Sequence, residues 1–332
     1  MCAIIAISKK KESQPFGEIV SAGKNIERLS CLGEDAGKQR DERGSKMKYS
    51  VFTVGLPEYT PEEAVKKIKE AGFDGVEWRV TSISKDPEIL AEKPSYWRNN
   101  LCTYDIATID QQAAEIKALC DANGLEINAL ATYLNAASDP KEIECAMKAA
   151  AIMNCPKIRV NCLQYDPAVG YPELFKKAVD SFGVVEKLAK EYGVKANMEM
   201  HHGTIASSAS AAYRIASNFD SRYIGVIYDT GNIFYEGFEE YQMAMEILGE
   251  YLDHVHVKNA MWSKKTVDGV EKFAPGWAPF TDGYTDFTKV FKALKKVGYD
   301  KYITFEDFSD EPTEDKLKNN LPYIKKIVSE IE

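Results

Sequence analysis

The sequence has no excess of positive charge and no long apolar run. Lysine and arginine number 42 against 51 acidic residues, so the formal net charge is −9, and the isoelectric point is near 5.3. A surface of this sign repels nucleic-acid phosphates and anionic lipid headgroups, and no apolar stretch is long enough to cross a bilayer. We therefore expect neither nucleic acid nor a membrane as a partner.

Paired cysteines and a glycine-rich phosphate loop are also missing. The seven cysteines are an odd number without CxxC spacing, which predicts reduced thiols in a cytoplasmic protein. The turn after the first predicted strand is VGLPEYTPEE, which lacks the GxGxxG motif of open dinucleotide-binding sheets. An open doubly wound sheet is therefore the less favoured α/β architecture.

Residues 1–46 are rich in lysine, glutamate, serine and glycine and have little hydrophobic periodicity. Such a segment buries little apolar surface, so its composition predicts a poorly structured N-terminal extension, either disordered or an artefact of the assigned start. A functional arm is the alternative. The folded domain is expected to begin at Met47 and to span residues 47–332.

From Met47 onward, short β-rich runs alternate with amphipathic helical stretches in eight successive βα units. This alternation predicts a parallel sheet, and eight units predict an α/β fold of the (β/α)8 TIM barrel type in a single domain. The active site of such a barrel lies at the C-terminal ends of its strands. The predicted strands cover residues 49–54, 74–80, 126–134, 157–163, 194–200, 223–229, 253–258 and 301–307.

Histidine is scarce, and its positions are informative. The four histidines, His201, His202, His254 and His256, all lie near the ends of the fifth and seventh predicted strands. Because alternate residues of a strand face the same side, Glu199 shares a face with His201, and His254 shares one with His256. Methionines and valines take the opposite face, so the polar side chains are predicted to point into the barrel.

Four strand-end residues are predicted to bind one metal ion: Glu199, Asp229, His256 and Glu306, on consecutive strands five to eight. Buried carboxylates and imidazoles are costly without a compensating cation. Three carboxylates and one imidazole make an oxygen-rich site that suits Mn, Mg or Co, with Zn as an alternative.

Each of these residues also has a non-catalytic interpretation. Asp229 precedes Thr-Gly-Asn, a position typical of a helix N-cap, and Glu306 beside Asp307 is typical of a solvated strand end. The His254–His256 pair is compatible with internal hydrogen bonding. The metal hypothesis therefore depends on the residues occurring together.

The strand-end motifs EMHH, DTGN, HVHVKN and FED resemble those of the xylose isomerase-like barrel superfamily. That superfamily includes sugar phosphate isomerases and epimerases, ketose 3-epimerases, hydroxypyruvate isomerase, inosose dehydratase and endonuclease IV. The resemblance extends from about Met47 to the end. It implies that Glu199, Asp229, His256 and Glu306 bind the metal, and that Glu199 and Glu306 are the catalytic residues.

The resemblance also implies an activity, the isomerisation or epimerisation of a sugar or sugar-derived keto compound. The metal would bind the carbonyl and a neighbouring hydroxyl and stabilise the enediolate, while one glutamate removes the proton and the other returns it. A metal-dependent dehydratase acting on a keto-inositol or 3-keto sugar is the first alternative. A non-catalytic sugar-binding barrel is another, and the low histidine count and negative charge disfavour an abasic-site nuclease.

Further residues are predicted to contact the substrate. His201 and Asn232 follow the metal-binding Glu and Asp at spacings where family members place histidines, and Lys258 is a candidate for holding an acidic group or oxyanion. Glu77 and Arg159 face inward, where they would either contact substrate or support the barrel. Aromatic residues in the segments after strands two and seven are predicted to cover the substrate or to form a homodimer or homotetramer interface: Tyr96, Trp97, Trp262, Phe273, Trp277 and Phe280.

Overall fold

The computed structural model describes residues 47–331, so the predicted N-terminal extension lies outside the described residues. Eight parallel strands form a barrel: β1 (Lys48–Phe52), β2 (Gly75–Thr81), β4 (Glu126–Thr132), β5 (Lys157–Arg159), β6 (Lys195–Glu199), β7 (Ile224–Asp229), β8 (Leu252–Val257) and β11 (Tyr302–Phe305). They close in the order β1, β11, β8, β7, β6, β5, β4, β2 and back to β1, which confirms the predicted TIM barrel. The short strand β3 (Thr103–Asp105) pairs with the end of β2.

Helices connect the strands and cover the barrel. Local sequence signals determine where the helices begin. In the first helix, for example, Thr60 is the N-cap and forms a capping box with Glu63, and Pro61 occupies the first turn. The helices are α1 (Pro61–Glu70), α2 (Pro87–Leu90), α3 (Ile109–Ala122), α4 (Pro140–Met153), α5 (Tyr171–Tyr192), α6 (Ala209–Ala216), α7 (Tyr241–Leu248), α8 (Phe287–Lys296) and α9 (Thr313–Glu330). Within residues 47–331, none of these helices is both long enough and apolar enough to cross a membrane.

The predicted parity of the strands is confirmed. Met198, Met200, Val255 and Val257 belong to the apolar core, while the polar residues that alternate with them are buried on the inner side of the barrel. The sequence thus separates an apolar layer under the helices from a polar interior at the strand ends.

The segment after β8 is more regular than the predicted loop. Its strands β9 (Asn259–Val267) and β10 (Val270–Ala278) form an antiparallel hairpin. Asp268 and Gly269 form the two-residue turn between them, with φ angles of 53° and 73°. Two positive φ angles are characteristic of the hairpin turns that match strand twist. The hairpin carries Trp277 to the mouth of the barrel.

At the N-terminal end of the barrel, the buried Asp253 carboxylate binds three lysines. Its oxygens lie 2.7 Å from Lys157 Nζ, 2.9 Å from Lys195 Nζ and 2.8 Å from Lys301 Nζ. Burial opposes ionisation, but the lysines outweigh it and hold the pKa of Asp253 well below its usual value. This stabilisation is therefore fully present above the unfolded pKa of about 3.9 and is lost as the pH falls through the folded pKa.

We expect Asp253→Asn to lower the free energy of unfolding at pH 7 by about 2 kcal/mol, because Lys157 would remain buried without a carboxylate. Urea denaturation followed by circular dichroism measures the change. Asp180→Asn, which breaks an exposed pair with Lys176, is the control and should leave the midpoint unchanged. Equal stability of Asp253→Asn and the wild type would contradict the prediction.

Candidate metal centre

Four buried side chains meet at the C-terminal end of the barrel. Glu199 ends β6, Asp229 ends β7, His256 lies near the end of β8, and Glu306 follows β11. Each offers one ligand atom, and these four atoms all lie within 4.8 Å of one another. The strand register contributes directly, since Asp229 is paired with His256 across β7 and β8. The structure thus brings together the four residues that the sequence singled out.

The two ring nitrogens of His256 have different surroundings. Nε2 lies 3.1 Å from a Glu77 oxygen, and because an ionised carboxylate only accepts, Nε2 carries a proton. Nδ1 has no hydrogen bond and lies 3.4 Å from Glu199, 3.9 Å from Glu306 and 4.0 Å from Asp229 oxygens. Burial opposes protonation of His256, yet Glu77 and Glu199 raise its pKa well above the usual value. This position therefore attracts positive charge.

Glu77 supports the centre from a deeper level of the barrel. It is fully buried, and besides His256 it binds His254, whose Nε2 lies 2.9 Å from Oε2. Burial opposes ionisation of Glu77, but the two histidines hold its pKa well below the usual range. Burial also lowers the pKa of His254 to about 4, so that ring is neutral at pH 7. A carboxylate bonded to the far nitrogen of a ligand histidine fixes its tautomer and orientation.

Asp229 divides its two carboxylate oxygens between a turn and the centre. Oδ1 accepts hydrogen bonds from the backbone N–H groups of Gly231, at 2.8 Å, and Asn232, at 2.7 Å. These bonds close a local turn, and the N-cap of the short helix that follows is Gly231, not Asp229. Oδ2 makes an ion pair with Lys258 Nζ at 2.8 Å but no directed hydrogen bond. The turn hydrogen bonds and metal binding are therefore compatible in the same side chain.

Glu199 and Glu306 have opposite electrostatic surroundings. Burial opposes ionisation of Glu199, but Arg159, whose Nη1 lies 2.8 Å from Oε2, and His256 hold its pKa well below the usual value. Burial, with the nearby carboxylates of Asp229 and Glu199, raises the pKa of Glu306 to about 7, although its ion pair with Lys258 opposes the rise. Two carboxyl groups with separated pKa values are typical of a base and an acid that act together.

The described residues at the centre contain more negative than positive charge. Four buried carboxylates contact only two buried permanent cations, Arg159 and Lys258, so two negative charges remain when the histidines are neutral. A divalent cation would balance that excess and would use His256 Nδ1 and Asp229 Oδ2, neither of which has a hydrogen bond. The residues therefore fit a divalent metal, and their oxygen-rich chemistry suits Mn, Mg, Co or Zn.

A cavity of about 510 Å³ opens above the centre. Aromatic rings form much of its wall. The ring centroid of Trp277 lies 4.7 Å from that of Tyr235 and 5.6 Å from that of Phe308, and the His202 ring stacks on Tyr235 with centroids 4.4 Å apart. Mixed aromatic and polar walls suit a small sugar-like ligand. The lining residues are Trp97, Tyr133, Arg159, Asn161, Gln164, Glu199, His201, His202, Thr204, Tyr235, Lys258, Trp277, Glu306 and Phe308.

Three of the predicted substrate contacts line this cavity, namely His201, Lys258 and Arg159. His201 donates from Nδ1 to the backbone oxygen of His202 at 2.7 Å, because a carbonyl only accepts. Lys258 lies between Trp277 and Phe308, with Nζ 4.6 Å and 5.2 Å from the two ring centroids.

The other three predicted contacts lie outside the lining of this cavity. Glu77 is enclosed beneath His256 and does not line the cavity. Asn232 is fully buried behind Glu199, 3.3 Å from its Oε1. Trp262 lies outside the lining, where its ring nitrogen donates to the Phe234 backbone. Among the predicted covering aromatics, Trp97 and Trp277 line the cavity, whereas Tyr96, Phe273 and Phe280 do not.

Sequence reasoning missed several lining residues as site residues. His202, Tyr133, Gln164 and Tyr235 line the cavity but follow the strands in irregular segments. The His201–His202 doublet was a usable signal, because both rings lie at a strand end. The other three have no sequence feature that separates them from ordinary loop residues.

Comparison with known proteins gives a consistent family. A family model described as xylose isomerase-like TIM barrel matches residues 65–327. An inosose dehydratase from Bacillus velezensis is 30% identical over 155 residues, which cover 44% of this chain and 51% of that protein. The chain thus spans about half the length of this curated relative. An inosose dehydratase from Erwinia tasmaniensis is 26% identical over 297 residues, covering 80% of this chain and 91% of the relative.

Solved structures share the fold at low identity. The Escherichia coli 3-keto-D-glucoside 4-epimerase has a TM-score of 0.62 and 18% identity, covering 85% of this chain and all of that one. The IolI protein with a bound zinc atom has a TM-score of 0.64 and 17% identity, and the match covers 86% of this chain and 99% of that one. A Mycobacterium smegmatis barrel protein in complex with magnesium has a TM-score of 0.62 and 15% identity, and the match covers 86% of this chain and 98% of that one.

Proposed function

The chain belongs to the xylose isomerase-like TIM barrel family, and from this premise we propose that it is a divalent-metal-dependent isomerase or epimerase. Its substrate is a sugar or a sugar-derived keto compound. One observation carries the proposal: two buried glutamates belong to a four-residue ligand set at the floor of an aromatic and polar cavity. That combination suits removal and return of a proton next to a carbonyl group.

The proposed ligands of the metal are Glu199, Asp229, His256 and Glu306. A divalent ion held there would polarise the substrate carbonyl and make the neighbouring C–H more acidic. Arg159 keeps Glu199 ionised through its 2.8 Å ion pair, and Glu77 keeps the His256 lone pair directed at the centre. Lys258 and His201 border the cavity and are proposed to bind substrate oxygens.

The two glutamates are proposed to act in sequence. Glu199, the carboxylate that Arg159 keeps ionised, takes the proton from the carbon next to the carbonyl. Glu306, whose pKa is about 7, supplies a proton to the second position or to the opposite face. The reverse reaction uses the same groups with exchanged roles.

Product analysis tests this proposal. The protein with Mn²⁺ is incubated with ketohexoses, a keto-inositol and 3-keto-glucosides, and the products are followed by NMR and mass spectrometry. We expect a product of unchanged mass from at least one keto compound, with no product after the metal is chelated. Failure to convert any of these compounds would overturn the proposed function.

A dehydratase is the second candidate, and the inosose dehydratases among the curated relatives are the observation that favours it. In that reaction Glu199 removes the proton next to the carbonyl, and the hydroxyl on the following carbon leaves as water after Glu306 protonates it. The product is an enone that absorbs ultraviolet light and has lost one water. Its appearance from the keto-inositol or a 3-keto sugar would establish the second candidate in place of the first.

A further inference from the structure

A second cavity of about 320 Å³ lies beside the first. It is enclosed by the end of β2, the residues that follow it and the start of β3, and Trp97 lines both cavities. Its wall is mostly apolar, with Ile83, Ile89, Leu90 and Leu101, and Thr103 and Ser82 supply hydroxyl groups. The volume falls within the range of about 300–1,000 Å³ that is typical of ligand pockets.

The second cavity also has a buried cation without an anionic partner. Arg79 is 8% exposed and lines this cavity, and within residues 47–331 it has no salt bridge to a carboxylate. Its Nη1 donates to Thr103 Oγ1 at 2.7 Å, while Nε has no hydrogen bond. Arg159, which is also buried, is by contrast paired with Glu199. An unpaired buried guanidinium is costly, so Arg79 indicates that a ligand supplies acceptor oxygens here.

The wall between the cavities is made by side chains that hold each other in place. The Arg79 guanidinium lies over the Tyr133 ring, 5.0 Å from its centroid, and Tyr133 lines the first cavity. Trp97 packs against Phe308 with ring centroids 4.9 Å apart, yet it remains 55% exposed. A large aromatic ring that stays exposed at the junction of two cavities is a typical stacking surface for a ligand ring.

The loop that carries Trp97 is fixed by local hydrogen bonds. Arg98 makes a two-bond ion pair with Glu92, and the Asn99 side chain donates to the backbone oxygens of Glu92 and Leu90. Asn99 has a φ angle of 48°, a conformation that asparagine tolerates better than most residues. The second cavity is therefore bounded by a structured loop.

We propose that the second cavity binds the non-reacting ring of a glycoside whose keto-sugar ring occupies the first cavity. This inference rests on the proposed function, because it assigns the substrate to the class of keto-glycosides. The apolar face of the second ring would stack on Trp97, and its hydroxyl oxygens would accept from Arg79. A free monosaccharide would leave the Arg79 Nε without an acceptor and the exposed face of Trp97 without a stacking ring.

The test compares 3-keto-glucose with α-linked and β-linked 3-keto-disaccharides as substrates for solvent deuterium incorporation in the presence of Mn²⁺. We expect kcat/KM for one disaccharide to exceed that for the monosaccharide by about 10-fold or more, because burial of an additional well-fitted group raises kcat/KM by a factor of this size. Ile83→Trp, which fills the second cavity, and Arg79→Met, which removes the donors, should each reduce this ratio to about one. Lys85→Trp adds the same ring in the same segment but outside both linings, and should retain the wild-type ratio.

The outcomes separate the two hypotheses. Equal kcat/KM values for the monosaccharide and both disaccharides would overturn this inference and leave the proposed function intact. An undiminished ratio in Ile83→Trp would also overturn it, and activity toward the monosaccharide verifies that the variant is folded. Absence of exchange with every compound would overturn the proposed function together with the inference that rests on it.

Discussion

Glu306→Gln is expected to lower the rate of product formation by about 1,000-fold, within the range usual for loss of a general acid or base. Glutamine has the size of glutamate and keeps a carbonyl oxygen at the centre, but it cannot carry the transferred proton. Since Glu199 remains available as the base, slow exchange of the substrate proton with D₂O should persist in this variant. Glu199→Gln should lose both exchange and product formation. NMR of the substrate in D₂O measures the two rates together.

The control for this pair is Glu311→Gln, which makes the same chemical change at an exposed position after β11. It should retain wild-type rates. Wild-type product formation by Glu306→Gln would contradict the proton-return role. Persistent exchange in Glu199→Gln would show that the assignment of the base is wrong.

Glu77→Gln is expected to raise the dissociation constant for Mn²⁺ by about 10-fold to 100-fold, the usual effect of losing the carboxylate behind a ligand histidine. The amide keeps the volume but removes a buried negative charge and one of the two acceptors that His254 and His256 share. The glutamine N–H can donate to Nε2, which places the proton of the neutral His256 ring on Nδ1, the atom that faces the proposed metal position. Isothermal titration calorimetry with Mn²⁺ measures the affinity without any substrate.

A second measurement separates positioning from general destabilisation. In the wild type, ¹⁵N NMR of the protein loaded with diamagnetic Zn²⁺ should show His256 protonated on Nε2, whereas Glu77→Gln should shift that signal. Glu62→Gln, an exposed change in α1, serves as the matched control for affinity. Unchanged Mn²⁺ affinity and an unchanged His256 signal in Glu77→Gln would refute the positioning role.

The barrel was predictable because its periodicity is local. Each strand is a short β-rich run followed by an amphipathic helix, and the strand predicted at residues 223–229, for example, is observed as β7 (Ile224–Asp229). Strand parity then predicted which side chains enter the barrel, and register brought Asp229 level with His256. The ligand set followed from these two properties together with the family resemblance.

The hairpin after β8 escaped prediction because its strands are exposed and rich in lysine, as in Lys264, Lys265 and Lys272. Strands of this composition lack the apolar alternation that marks a buried strand. A signal was nevertheless available, since Asp268–Gly269 between two β-prone runs is typical of a two-residue hairpin turn.

The position of Glu77 was not predictable from parity alone. The alternation of residues along β2 predicts that Glu77 faces the interior. The depth of Glu77 in the barrel, however, depends on the stagger between strands on opposite sides. The pairing of β2 with β4 shifts register between Val76 and Glu77, and the pairing of β7 with β8 shifts between Val226 and Ile227. These irregularities help set the level at which Glu77 meets His254 and His256. Sequence patterns carry little information about them.

The most direct test of the central claim is solvent deuterium incorporation into a panel of keto sugars, measured by NMR and mass spectrometry with Mn²⁺ and again with a chelator. We expect deuterium at the carbon next to the carbonyl of at least one compound, complete loss of incorporation with the chelator, and recovery when Mn²⁺ is restored. Incorporation that persists after chelation, or that survives in Glu199→Gln, would contradict a metal-dependent proton transfer at this centre.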